Sequence, residues 1–153
     1  MELEMGSPQT GHQADFDPHV KPADPLTEEG LRERACLMAL ELSRLEQRNP
    51  CTIACAESLT GGLLCDFIVS VPGSSAYFER GFITYANRAK QEMLGVSPEI
   101  LENEGAVSHA CAKAMVEGVL RHSGARLAVA LTGIAGPTGG SEQKPVGTVF
   151  IAF

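Results

Sequence analysis

No apolar run in this sequence approaches the roughly 18 residues that a membrane-spanning helix requires, so no membrane partner is expected. The opening residues, Met1-Glu2-Leu3-Glu4-Met5, lack the basic start and apolar core of a secretory signal. Basic residues are also scarce, with 12 Lys and Arg against 19 Asp and Glu and a net charge of −7. Without a basic stripe the chain is not a general nucleic-acid binder. A small anionic ligand stays compatible, because one local cluster of donors can hold it. The five cysteines, Cys36, Cys51, Cys55, Cys65 and Cys111, form an odd set with no CxxC pair. They read as buried free thiols of a reducing, cytoplasmic protein. No second Cys or His cluster completes a ligand set, so no metal is expected.

What is present suits one soluble domain. The 153 residues are 44% hydrophobic and 20% charged, enough to bury a sizeable core. Pro8, Pro18, Pro22 and Pro25 forbid a regular helix near the start, so residues 1–26 read as a flexible tail. From Thr27, Leu31, Ala35, Met38, Leu42 and Leu45 recur at helical spacing up to Asn49-Pro50. The expected order then runs strand Thr52–Ala56, helix Gly61–Val71 and strand Gly81–Tyr85. A helix Ala86–Leu94 follows, stopped by Gly95, with a short helix begun by Ser97-Pro98. Ser108 caps a longer helix carrying Cys111, Met115 and Val119, and strands Arg126–Thr132 and Gly147–Phe153 complete the pattern. Strands alternating with helices imply an α/β fold whose mainly parallel sheet is covered on both faces.

Two glycine-rich stretches each follow a strand. The first is Ala56-Glu57-Ser58-Leu59-Thr60-Gly61-Gly62, and the second runs from Thr132 and Gly133 through Gly140 to Lys144. Four of the 16 glycines fall between Gly133 and Gly140. Glycine lets backbone approach a ligand closely, at an entropic cost that a plain connector seldom warrants. Loops of this length in compact domains are functional or disordered, and the flanking strands favour function.

Ser58 precedes a helix start, where unpaired N–H groups and a partial positive charge suit an anion or oxyanion. Two readings stand for it: a nucleophile if a base lies nearby, or a plain helix cap shared with Thr60. The turn is not G-x-S-x-G, because Ala56 and Thr60 occupy the glycine positions. His12, His19, His109 and His122 give little support to a Ser-His-Asp arrangement. Lys90 is the other candidate base, either a solvated surface amine or one whose pKa is lowered by burial or by a cation such as Arg88. The second loop is neither a Walker A motif nor a G-x-G-x-x-G fingerprint, since Lys144 lies between Gln143 and Pro145 and Ala135 interrupts the glycines.

Further blocks extend the pattern: Gly73-Ser74-Ser75 with Phe78-Glu79-Arg80-Gly81, Thr84-Tyr85-Ala86-Asn87 through Lys90, Gly105-Ala106-Val107-Ser108, and Thr132-Gly133-Ile134-Ala135-Gly136-Pro137 through Val149. Together with the first glycine-rich turn, in this order, they resemble the C-terminal domain of the competence/damage-inducible protein family. The resemblance covers roughly Leu31 to Phe153. Stand-alone members of that family are nicotinamide-nucleotide amidases. The resemblance implies a three-layer α/β/α sandwich with a mixed, mainly parallel sheet.

It further implies hydrolysis of nicotinamide mononucleotide to nicotinic acid mononucleotide and ammonia, in pyridine-nucleotide recycling. By motif, Ser58 corresponds to the nucleophile, Lys90 to the general base, and Tyr85 to a tyrosine that orients the base or the amide. Thr60, Gly61 and Gly62 would bind the oxyanion, and Gly133, Ala135, Gly136, Gly139, Gly140 and Lys144 the ribose and phosphate. The implied chemistry needs no metal and no organic cofactor. The implied partners are the nucleotide substrate and, by the family's habit, further copies in a homo-oligomer. The family's pattern continues beyond Val149–Phe153 with a strand, a Gly-Asp-Arg segment and a helix, so 27–153 is expected to be a domain without those C-terminal elements. The alternative function is a catalytically impaired module that binds or senses a pyridine nucleotide.

Overall fold

The computed structural model describes residues 27–153. The expected tail over 1–26 lies outside the described residues. The first helix, α1 (Glu28–Arg48), begins at Thr27, whose hydroxyl accepts the Gly30 N–H at 3.1 Å. Glu28 and Glu29 in its first turn complement the helix dipole. There follow β1 (Ile53–Glu57), α2 (Leu63–Val69), a single 3₁₀ turn at Ser74–Ala76 and β2 (Phe78–Ile83). The remaining elements are α3 (Asn87–Leu94), α4 (Pro98–Asn103), α5 (His109–His122), β3 (Leu127–Gly133) and β4 (Val149–Ala152).

The four strands form one sheet in the order β2-β1-β3-β4. β1 is parallel to both β2 and β3, while β4 runs antiparallel to β3, so the sheet is mixed and mainly parallel. Every residue of β1 is buried, as a central parallel strand requires. Its alternation divides the core. Ala54 and Ala56 meet Leu94, Val96, Cys111, Met115 and Val119 on the α3–α5 side. Ile53 and Cys55 meet Ile68 and Tyr77 on the α1–α2 side. Small alanines at 54, 56, 128 and 130 let α5 lie close to the sheet. The three-layer α/β/α sandwich expected from the resemblance is the observed fold.

Several boundaries move for local reasons. α2 starts at Leu63 rather than Gly61, because Gly61 and Gly62 take φ of +61° and +109°, outside the helical region. β2 starts at Phe78 rather than Gly81. Its register slips against Ile53/Ala54, and on this edge strand Glu79 and Arg80 can point outward as a neighbouring ion pair. The apolar stripe read on α1 is a different matter. Only Gly30, Ala39 and Ser43 of that helix are buried, whereas Leu31, Met38 and Leu45 are exposed. Leu42 of α1 packs half-buried against Ile53 and Cys55, while Ala35, Met38 and Leu45 line an apolar cavity of about 510 Å³ that also takes in Leu127 and Val129 of the sheet. β4 spans Val149–Ala152 rather than Gly147–Phe153, and as the outer strand it leaves Val149 and Ile151 exposed. Of the five thiols, Cys55 and Cys111 are buried, Cys51 and Cys65 are half-buried, and Cys36 is exposed.

The crossovers position the site. α2 links β1 to β2 across one face of the sheet, and α3 to α5 link β2 to β3 across the other. The chain therefore leaves in opposite directions from the neighbouring strands β1 and β3. Outside the C-terminal ends of such strands a crevice opens, the usual ligand position in this architecture. The segments that follow Glu57, Ile83 and Gly133 all emerge there.

Candidate active site

Ser58 is the first residue after β1. Its N–H bonds to the Leu131 carbonyl of β3 at 3.0 Å, which fixes its main chain to the sheet. Lys90 lies on the inner face of α3 with Leu94, one turn apart. Only 1% of Lys90 is exposed, the condition under which an amine must find partners or lose its charge. Its Nζ donates to the Thr84 carbonyl at 2.7 Å, to Ser58 Oγ at 2.9 Å and, at the limit of 3.5 Å, to the Tyr85 carbonyl. No carboxylate is among these partners. Burial pulls the Lys90 pKa below its usual 10.5, with the Cys111 thiol a smaller opposing influence. The cation considered as the cause, Arg88, instead pairs with Glu92 at 2.7 Å on the exposed side of α3. Desolvation does the work assigned to it.

A cleft of about 330 Å³ opens beside this pair. Ser58, Tyr85, Lys90, Gly133, Ala135, Gly136 and Gly139 all line it, so the structure gathers most of the residues singled out in the sequence. Tyr85 is largely exposed at the cleft, and it is its carbonyl, not its ring, that touches Lys90. The prediction did not include Leu59, Asn87, Ala106, Val107 and Thr132, which also line the cleft. Thr132 is buried and donates its hydroxyl to the Ala106 carbonyl at 2.7 Å, holding the Ala106–Val107 wall against β3. A threonine closing an otherwise apolar strand was the available signal.

The rest of the predicted set falls elsewhere. The Gly61 N–H bonds the Ser58 carbonyl at 3.2 Å, and the Gly62 N–H bonds a Glu57 carboxylate oxygen at 3.0 Å. Both glycine amides thus serve the turn itself and are not available to an oxyanion. The N–H groups of Leu59 and Thr60 have no hydrogen-bond partner among the described residues. Gly140 and Lys144 do not line the cleft. Lys144 Nζ instead donates to the Glu104 carbonyl at 3.1 Å, tying the long glycine-rich loop to the end of α4. Gly133 has a packing role as well: a Cβ there would press on the Thr148 carbonyl, Leu59 and Val149.

The Ser58 hydroxyl and the desolvated Lys90 amine thus lie 2.9 Å apart beside a cleft able to take a small molecule. The family model described as "CinA C-terminal domain" matches residues 35–153. A "CinA-like protein" of Syntrophotalea carbinolica is 50% identical over 116 residues, covering 76% of this chain and 28% of that protein. The "Nicotinamide-nucleotide amidohydrolase PncC" of Enterobacter agglomerans is 55% identical over 101 residues, covering 66% of this chain and 62% of that one. Among solved structures, the competence/damage inducible protein CihA from Agrobacterium tumefaciens superposes with a TM-score of 0.69 at 45% identity, covering 79% of this chain and 71% of its own. The chain spans between 24% and 28% of the length of the first curated relatives it matches.

Proposed function

The chain belongs to the CinA C-terminal domain family, and from that premise we propose that it hydrolyses the carboxamide of nicotinamide mononucleotide, releasing ammonia and nicotinic acid mononucleotide. The observation that carries this reading is the 2.9 Å contact between Lys90 Nζ and Ser58 Oγ, made by an amine with no carboxylate partner. The similarity to a relative named as a nicotinamide-nucleotide amidohydrolase supports the choice of substrate.

Neutral Lys90 accepts the Ser58 hydroxyl proton as Oγ attacks the carboxamide carbon. The π electrons of the carbonyl move to its oxygen, giving a tetrahedral oxyanion. Leu59 and Thr60 N–H groups, free in the turn, are the donors assigned to it; one such donor is typically worth about 3 kcal/mol. The ammonium of Lys90 returns its proton to the departing nitrogen, and ammonia leaves as the carbonyl re-forms. Water, deprotonated by the same amine, then cleaves the ester on Ser58. The exposed Tyr85 borders the position of the pyridine ring, and Gly133, Ala135, Gly136 and Gly139 line the space for ribose and phosphate.

Ammonia release from nicotinamide mononucleotide is the test, run with calorimetric binding of the same nucleotide. Turnover supports the amidase. Saturable binding with no ammonia would replace it with a binding or regulatory module.

A further inference from the structure

The only carboxylate in β1 is Glu57, and it is almost completely buried, at 1% exposure. Its carboxylate does not face Lys90 or the cleft. Oε2 accepts the N–H groups of Gly62 at 3.0 Å and Leu64 at 3.2 Å, and Oε1 accepts that of Cys65 at 2.8 Å. These are orphan donors of the start of α2, which has no side-chain cap of its own. The Glu57 main chain is fixed independently, since its carbonyl accepts the Thr84 N–H at 2.8 Å. One residue therefore grips β2's exit through its backbone and α2's entry through its side chain. Ser58 is the next residue. The Ser58–Leu131 rung holds the near end of the turn to the sheet; the Glu57 carboxylate holds the far end.

The geometry points to Glu57 as a positioning residue for the Ser58 hydroxyl, a role that rests on Ser58 being the nucleophile. The carboxylate closes the turn 58–62 into a fixed loop, so that Oγ meets Lys90 Nζ. Glutamine cannot replace it. Three N–H donors meet two acceptor oxygens, so an amide NH₂ would oppose either the Cys65 N–H or the Gly62 and Leu64 pair. A donor against a donor would push α2's first turn off the strand and carry Ser58 with it. Small displacements of a reacting atom are costly to rate without being costly to binding.

The test compares Glu57→Gln with the unaltered chain by three readouts. Thermal unfolding and circular dichroism establish that the variant folds. Turnover of nicotinamide mononucleotide is then expected to show kcat reduced on the order of 10- to 100-fold with KM unchanged. The third readout needs no natural substrate: labelling by a small fluorophosphonate, followed by intact mass. There Ser58 Oγ forms a bond to phosphorus, its proton passes to Lys90, and fluoride leaves; Ser58→Ala is the blank. Labelling is expected to slow by a similar factor in folded Glu57→Gln. Equal labelling rates, or loss of activity only in proportion to the unfolded fraction, would overturn the role. Should Glu57→Gln not fold, Glu57→Asp keeps the charge while shortening its reach, with the same split in kcat expected. Labelling of the unaltered chain without nucleotide turnover would sink the amidase reading and leave the positioning role to be judged by labelling. Neither labelling nor turnover would sink both.

Discussion

Lys90 Nζ lies 2.9 Å from Ser58 Oγ, although 32 residues separate the two in the chain. The contact exists because β1 and β2 are parallel neighbours. Ser58 leaves the end of one, and the Thr84–Tyr85 link at the end of the other turns α3 inward so that Lys90 reaches back across the sheet's edge. The same inward turn desolvates the amine, so one packing decision makes the contact and shifts the base.

The pH dependence of turnover follows from that burial. Below its folded pKa Lys90 is an ammonium and cannot take the Ser58 proton; above it the amine is neutral. Because desolvation lowers the pKa, kcat/KM is expected to rise with pH through a midpoint below the 10.5 of a free lysine. Lys90→Arg should remove this limb and cost about 10²- to 10⁴-fold in rate, since a guanidinium stays charged. A midpoint at or above 10.5 contradicts the assignment of Lys90 as base.

Glu57 makes an acid-side prediction on stability. Burial raises its pKa, while the Cys65 thiol, the Thr60 hydroxyl beside it and the Cys65 and Leu64 N–H groups lower it, for a net shift below 4.5. A carboxyl with a depressed folded pKa contributes stability that is present above 4.5 and is lost as pH falls through the folded value. Urea midpoints of the unaltered chain and Glu57→Gln should therefore be far apart at neutral pH and converge in acid. Parallel curves would show that the carboxylate charge contributes nothing to folding.

Packing between α3 and α5 leaves no room at Gly118. A Cβ there would collide with the Leu94 carbonyl and lie 2.7 Å from Leu94 Cβ. Alanine favours an isolated helix over glycine by roughly 1 kcal/mol. Here overpacking wins, and Gly118→Ala is expected to destabilise the fold by about 1–3 kcal/mol in urea unfolding. Since Leu94 shares its helix face with Lys90, activity should fall as well. A stabilised variant would mean that α3 and α5 separate freely.

Lys144 distinguishes a tether from a phosphate ligand. Its amine holds the Glu104 carbonyl, and its side chain lies outside the cleft lining. Lys144→Met is expected to raise KM equally for nicotinamide mononucleotide and for the riboside lacking the phosphate, because it loosens the loop for both. A loss confined to the phosphorylated substrate would return Lys144 to phosphate binding.

The sequence disclosed these features unevenly, and the reasons are physical. Element type was readable where caps and periodicity agreed, as at Ser97-Pro98, Ser108 and Gly95, whose φ of +69° ends α3. On α1 the helical spacing of Leu31, Met38 and Leu45 marked the element but not how deeply it docks, and all three side chains are exposed. For Ser58 and Lys90 the residues alone left nucleophile against cap and base against surface amine open, since nothing local to either shows that a crossover brings them together. Glu57 carried a signal that went unused: a charge at the end of an otherwise apolar strand, just ahead of two glycines. The oxyanion donors were expected at Thr60, Gly61 and Gly62, but the Glu57 side chain takes the Gly62 N–H and the Ser58 carbonyl that of Gly61.

Ammonia release from nicotinamide mononucleotide at mildly alkaline pH, measured side by side for the unaltered chain and folded Ser58→Ala, tests the central claim most directly. The account expects steady release from the first and a loss of about 10³-fold or more in the second. Ammonia released by Ser58→Ala at the rate of the unaltered chain would contradict it.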